Sequence, residues 1–424
     1  MLNPQINLEK QLSSQIYDAL QGRIIESVLG QSSLNQGGDY WKNVMEGHSF
    51  KVEKRLMSHI YDLFYDVKAK LGFEEDIDFY ITGDATVNAF AVASANPGEP
   101  HIINVNSGLI DLMTDDELRF VVGHEIGHLM NRDTKLLRLI YFVFPQNTMP
   151  PLVLQYKIRL WQQLSELVAD RYGYMAIPNL EVCVSAFFKM ASGLDLSKVD
   201  MEMDVFIEEN LKHLEYFKNG QGLNNASHPV NPIRVQSLNL FSSCATDEEL
   251  NDKMAELIQI LLKQRSSELD YYLGFFIAPA GLLVANSDGE ITDKEIEDIL
   301  SNLSSFHIFP YDFLKSVSQQ NVQDIFVDTV QKILEINPGM REVLYEYMVG
   351  IVLADKTFKD EEMEFIFMVG ENVFNYTKKE IADRLASAIQ RNFIPNFQSL
   401  CYGRRVISSI RLSASATLSI IKRT

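Results

Sequence analysis

Cysteine is scarce in this chain of 424 residues: Cys183, Cys244 and Cys401 form no CxxC pair and no even set. That argues against a disulfide framework and fits a reducing compartment. Cations are in short supply too. Lys and Arg number 38 against 57 Asp and Glu, a net charge of −19, so no nucleic-acid partner is expected, because phosphate contacts need clustered Lys and Arg. No uninterrupted apolar run reaches the roughly 18 residues that a membrane helix needs. LIYFVFPQNTMPPLVLQY (139–156) is cut by Pro145, Pro150 and Pro151, and YYLGFFIAPAGLLVAN (271–286) is short and holds Pro279. The first is read as a buried hairpin, with peripheral contact at a membrane surface as the alternative. The opening MLNPQINLEKQL lacks the basic and apolar regions of a secretory signal, so a soluble, cytoplasmic protein is the expectation. What is present is ordinary for a globular chain, 46% hydrophobic and 22% charged, with length for two or three domains.

Apolar spacing of three and four residues over 5–30 and 40–72 predicts amphipathic helices, separated by the turn-like NQGGD at 35–39. IDFYITG (77–83), VNAFAVAS (87–94) and HIINVNSGLI (101–110), the last two parted by a turn at NPGEP, read as a small sheet. A helix over 115–131 follows, opened by Thr114 and Glu117 as a capping box with acids in its first turn. A second runs over 155–177 and ends before Pro178, with further helices at 180–192, 203–217 and 233–241 and a polar loop, KNGQGLNNASHPVNP, before the last. After Cys244 the character changes. Residues 246–380 hold 26 acids against 11 bases with helical periodicity alone, and from 391 on there are six bases and no acids, the pattern of a flexible basic tail. The expected fold is α+β, mainly α. It divides into an N-terminal helical extension (1–49), a domain with the small sheet (50–245), an acidic all-helical domain (246–390) and the tail (391–424).

The chemistry concentrates in FVVGHEIGHLMNRD (120–133). His124 and His128 are four residues apart, so a helix sets both imidazoles on one face about a turn from each other. Zinc takes neutral imidazole nitrogens at about 2.0–2.1 Å and prefers four ligands. Glu125, next to the first histidine, is placed to act as a general base on a water there. Gly123 and Gly127 each cost about 1 kcal/mol relative to Ala in a helix and make sense as close packing beneath a site. A third ligand is needed. The metzincin continuation is excluded, since Asn131 and Thr134 stand where a glycine and a histidine are required. SELVAD (165–170) supplies Glu166 as the third ligand, and Asp170, one turn on, to accept a hydrogen bond from a ligand histidine.

GHEIGH followed by SELVAD, and preceded by NAFA (88–91) and INVNSGLI (103–110), resembles peptidase family M48, which includes the CaaX prenyl proteases and the HtpX and Oma-type quality-control proteases. The resemblance covers about residues 50–245. It implies a zincin-type gluzincin endopeptidase with one Zn(2+) per chain on His124, His128 and Glu166, and Glu125 as base. It further implies that His228 and Arg234, in SHPVNPIRV, bind substrate and the developing oxyanion. An edge strand at Asn88, Ala89, Phe90 and Ala91 is expected to hold a peptide or unfolded protein as an added strand. Many relatives carry membrane helices between or before the ligand helices; here the Pro-broken 139–156 segment stands between them, which favours a soluble form. The acidic half resembles TerB/DjlA-type helical domains through ANSDGEITDKEIEDI (285–299), which echoes VLADKTFKDEEMEFI (352–366) at an offset of 67 residues. That resemblance implies a divalent-cation site or a surface for a protein partner; an EF-hand is excluded by the short Asp288–Glu295 spacing. A soluble zinc endopeptidase is the leading expectation. Its rival is a catalytically silent, zinc-stabilised scaffold whose acidic domain recruits partners.

Overall fold

A computed structural model describes residues 2–31, 36–94, 98–145, 148–199, 202–218, 228–263, 267–287, 289, 291–307, 309–353 and 359–392. The N-terminal segment forms α1 (Asn7–Ala19), α2 (Gly22–Gln31) and α3 (Gln36–His48). Gln21, at a φ of 53°, parts the first two. The predicted helix over 40–72 is interrupted: β1 (Ser49–Lys51) intervenes before α4 (Ser58–Leu71). Residues 36–39 of the predicted turn lie instead in the first turn of α3, whose Met45 packs on Tyr80 and Ile102 of the sheet. That tertiary contact overrides the glycine pair's weak helix propensity.

The sheet adds β2 (Ile77–Thr82), β3 (Ala89–Val92) and β4 (His101–Asn106) in the order β1-β2-β4-β3. β2 and β4 run parallel, with Phe79 opposite Ile103, while β1 and β3 are antiparallel edges. One face buries Phe79, Ile103 and Val105 in the main core, and α3 covers the other. Next come α5 (Ser107–Leu112), α6 (Asp115–Met130), α7 (Asp133–Val143), α8 (Leu152–Ala176), α9 (Leu180–Ser192), α10 (Met203–Lys218), α11 (Asn231–Ser243) and α12 (Asp247–Lys263). The rest of the described chain is helical: α13 (Glu268–Ala285), α14 (Asp293–Leu303), α15 (Pro310–Ser318), α16 (Val322–Ile336), α17 (Met340–Val352), α18 (Asp360–Asn372) and α19 (Lys378–Asn392).

There are two large cores. The first takes in Leu12 and Ile16 of α1 and runs on through Leu250 and Leu261 of α12, so it reaches past 50–245 on both sides. The second gathers Phe276, Ile299, Val330, Tyr345 and Ile381, and also Val153 from the start of α8. α8 therefore belongs to both. Its Tyr156 hydroxyl donates to Asp270, and Lys157 Nζ donates to Ser301 Oγ at 2.8 Å. α13 is long and apolar enough to cross a bilayer, with a mean hydropathy of 1.3, yet eleven of its residues, Pro279 among them, are buried in the second core.

Segment 139–156 is not the buried hairpin expected. α7 continues to Val143 and α8 starts at Leu152, with Tyr141 64% and Met149 82% exposed between the two cores' helices. Pro145 follows the end of α7, and Pro150 and Pro151 lead into α8. Asn96 and Pro97 of the NPGEP turn, residues 219–227 of the polar loop after α10, the tail beyond 392, and Asp288, Asp355 and Phe358 of the internal echo lie outside the described residues.

Candidate metal centre

α6 forms where predicted. Thr114 Oγ1 accepts from the Glu117 backbone N–H, and Glu117 returns a bond to the Thr114 backbone N–H at 2.7 Å. Two turns on, the helix is buried on nearly every side. It lies against α8 at a separation only glycine allows. A Cβ on Gly123 would meet Ala176 Cβ at 2.7 Å, and one on Gly127 would meet Tyr172 Cβ at 2.8 Å and Ala169 Cα at 3.1 Å. Gly173 answers from α8, with the Phe120 ring 2.7 Å from where its Cβ would be. This contact sets the imidazoles of α6 opposite the carboxylates of α8.

His124, His128 and Glu166 offer ligand atoms that all lie within 4.8 Å of one another. The two Nε2 atoms are 3.1 Å apart, and each is 3.6 Å from a Glu166 oxygen. On their far sides, His124 Nδ1 sits 2.9 Å from Asp170 Oδ1 and His128 Nδ1 sits 2.9 Å from Asp133 Oδ2. A carboxylate only accepts, so each Nδ1 is the donor and the two Nε2 atoms face each other. Two ring nitrogens at that distance call for a cation between them, a proton or a metal ion. Glu166 Oε2 is buried and has no hydrogen-bond partner, which adds a third unsatisfied donor atom aimed at the same place. Burial disfavours charge on His128, but Asp133, Glu166 and Glu125 outweigh it and raise its pKa to about 10, so the cluster favours positive charge at its centre. Two imidazoles and one carboxylate form a donor set suited to zinc.

Arg234, at the start of α11, gives Nε and Nη2 to Asp170 at 2.9 and 2.6 Å, and its guanidinium lies over Phe187 at 4.3 Å. Burial pushes the Asp170 carboxyl up; the Arg234 charge and these hydrogen bonds prevail and hold it down at about 2. The arginine expected at an oxyanion thus has those two donors committed to a carboxylate behind His124. His228 approaches from the open side, 61% exposed, with Nε2 3.4 Å from Glu166 Oε1. Glu125 is buried beside the histidines. Ala89, Phe90 and Ala91 lie on β3, an edge strand that packs against α6, and Asn88 precedes it with its carbonyl accepting from Asn106 N–H at 3.0 Å. A chain of side chains holds the loop before that strand: Thr82 Oγ1 to Asn104 Oδ1, Asn104 Nδ2 to Asn106 Oδ1, and Asn106 Nδ2 to Thr86 Oγ1.

Asp133 escaped the sequence reading. It lies beyond the helix that carries its partner, and only the backbone reversal at Arg132, φ 63°, returns it beneath His128. In the acidic half, no group of three His, Cys, Asp or Glu side chains placed to hold a metal occurs among the described residues.

The sequence profile of peptidase family M48 matches residues 52–241. A plastoglobule-localized metallopeptidase from the chloroplast of Arabidopsis thaliana is 26% identical over 211 residues, 46% of this chain and 60% of that protein. A protease HtpX homolog of Picrophilus torridus is 34% identical over 98 residues, 22% of this chain and 31% of its own length. Protease HtpX of Actinobacillus pleuropneumoniae is 40% identical over 63 residues, 15% of this chain and 21% of that protein. The chain thus spans less than two thirds of each of these relatives. The matched residues include α6 and α8 with every ligand atom described above.

Proposed function

We propose that the chain, whose residues 52–241 match the profile of peptidase family M48, is a zinc-dependent endopeptidase acting on peptide or unfolded protein segments. The observation that carries this reading is the convergence of His124 Nε2, His128 Nε2 and the Glu166 carboxylate on one point, with Glu125 buried alongside. His124, His128 and Glu166 would hold the metal. Zinc, when bound, supplies Lewis acidity, which acidifies water and polarises a carbonyl.

The chain's own residues do the rest. Glu125 takes the proton of the attacking water as its oxygen bonds to the scissile carbonyl carbon, and returns that proton to the amine as the C–N bond breaks. Asp170 and Asp133 fix both imidazole tautomers. Arg234 neutralises Asp170 and thereby orients His124, acting as a positioning residue. His228, on the open side, is left as the donor to the developing oxyanion. An extended substrate would pair along β3, bonding through its backbone and so tolerating many sequences. The reading extends to a soluble enzyme, supported by the burial of α13 in the second core, to a cytoplasmic setting, which the scarcity of cysteine fits, and to the acidic helical unit as a surface for a protein partner.

The test is zinc content together with proteolysis of an unfolded protein such as casein. Wild type is expected to hold about one zinc and to cleave; Glu166→Ala should lose the metal. A folded, chelator-free wild type without zinc would overturn the reading. Zinc without proteolysis, and biological activity that survives Glu125→Gln, would favour the scaffold instead.

A further inference from the structure

The N-terminal helix α1 lies outside the matched family domain, yet it buries a carboxylate next to the metal centre. Glu9 is 1% exposed, between α1 and α8. Trp161 Nε1, on α8, donates to Glu9 Oε1 at 2.8 Å, and the Asn131 amide stands near enough to favour the Glu9 charge. Among the described residues no Lys or Arg comes within ion-pair distance of it. Burying an acid with no cationic partner is costly, and packing alone would be served better by Leu. α1 already has apolar anchors in Leu12 and Ile16, both fully buried. The carboxylate therefore asks for another explanation.

Asn131 supplies it. Its Nδ2 donates to Asp133 Oδ1 at 2.8 Å, and Asp133 Oδ2 is the acceptor for His128 Nδ1 at 2.9 Å. An amide can present either its oxygen or its two N–H groups, and a free Asn131 could turn its oxygen toward Asp133 and repel it. Burial and the nearby Asp133 raise the Glu9 pKa to about 7, while Trp161 and Asn131 pull it back down; toward the ionised form, which only accepts, Asn131 presents N–H to both sides. The turn that brings Asn131 and Asp133 together is strained, since Arg132 between them sits at φ 63°, a conformation non-glycine residues adopt only when their surroundings hold it. Further anchors tie the N-terminal segment to the same unit. Arg171 Nη1 donates to the Pro4 carbonyl at 3.1 Å, Gln5 Nε2 to Tyr172 Oη at 3.2 Å, and the Asn3 backbone N–H to Asp247 at 2.8 Å.

We propose that Glu9 is a positioning residue for His128: through Asn131 it orients Asp133 beneath the imidazole, so that the N-terminal helix is part of the metal centre. This rests on the reading of His124, His128 and Glu166 as metal ligands. The experiment compares full-length wild type, Glu9→Leu, Asn131→Ala and the double variant. Zinc dissociation constants are measured by chelator competition, and visible spectra are recorded after cobalt substitution.

Glu9→Leu is expected to keep or raise the melting temperature of the metal-free protein while weakening zinc binding about tenfold, the scale seen when partners of metal ligands are removed. The cobalt spectrum should shift with it. The double variant should lose no more than either single variant, because all members act in one relay. Glu9→Leu binding zinc within twofold of wild type would overturn the proposal. Should that variant fail to fold, Asn131→Ala decides: a tenfold loss supports the relay and an unchanged affinity ends it. A wild type that binds no zinc would sink the metal-site reading itself, whereas tight wild-type binding that Glu9→Leu leaves intact sinks this proposal alone.

Discussion

The two cores of the molecule handle negative charge in opposite ways. The C-terminal unit carries much of the surplus, but among its described acids only Glu362 is buried, and that side chain closes a helix N-terminus. The N-terminal unit buries five: Glu9, Glu117, Glu125, Asp133 and Asp170. Four have a specific partner, Glu9 through Trp161, and Glu125 lies beside the histidines. Asp170 faces Arg234 and His124, Asp133 faces His128 and Asn131, and Glu117 caps α6 while pairing with Lys189 at 2.8 Å. Acid count therefore does not locate chemistry; acids taken out of water and aimed at one point do.

The sharpest way to test that contrast is Glu125→Gln. Proteolysis should fall by about 10²–10⁴-fold, the usual worth of a general base, while zinc content stays near one per chain. An active variant would put the proton transfer elsewhere. Next in size is the helix contact beneath the site. Gly127→Ala should destabilise by about 1–3 kcal/mol through overpacking, because its Cβ meets the α8 backbone as well as Tyr172. Denaturant unfolding would show this, and a stabilised variant would mean that α6 and α8 can part without cost.

At the junction of the two cores, burial pushes the Lys157 ammonium down to about 8, with Asp298 pulling weakly the other way. The folded state loses this proton before the unfolded chain does, whose lysine titrates near 10.5. Between those values the unfolded state holds more protons, so stability should rise from about pH 8 to 10.5 and carry its full penalty below pH 8. Lys157→Met should flatten that slope in chemical denaturation; an unchanged slope would assign it to other groups. The smallest effect belongs to the solvated acidic unit. Thr292 Oγ1 accepts from the Glu295 backbone N–H at 3.2 Å, and Thr292→Ala should cost about 1 kcal/mol with no change in zinc affinity. A loss of zinc there would break the comparison outright.

Much of this arrangement was legible beforehand because it rests on helix periodicity. The positions of His124 and His128, and of Glu166 and Asp170, follow from four-residue spacing once the helices are known. The capping box at Thr114 and Glu117 marks where α6 begins. β1 was missed since Ser49–Lys51 is too short to show alternation, and its strand character comes from pairing with β2. Asp133, Asn131 and Glu9 were invisible for a different reason. Their meeting depends on a left-handed residue at Arg132 and on α1 crossing α8, and neither leaves a periodic trace. Arg234 was found at the right spacing, but spacing does not tell whether a guanidinium points at a substrate or at a carboxylate behind a ligand.

α8 has one more consequence. It is a single 25-residue helix whose first turn puts Val153 into the second core and whose later turns carry Glu166, about 20 Å farther along at 1.5 Å per residue. Neither core can melt without fraying a rod that the other needs intact. The described parts of the two units should therefore unfold as one cooperative body, and calorimetry should record a single endotherm rather than two.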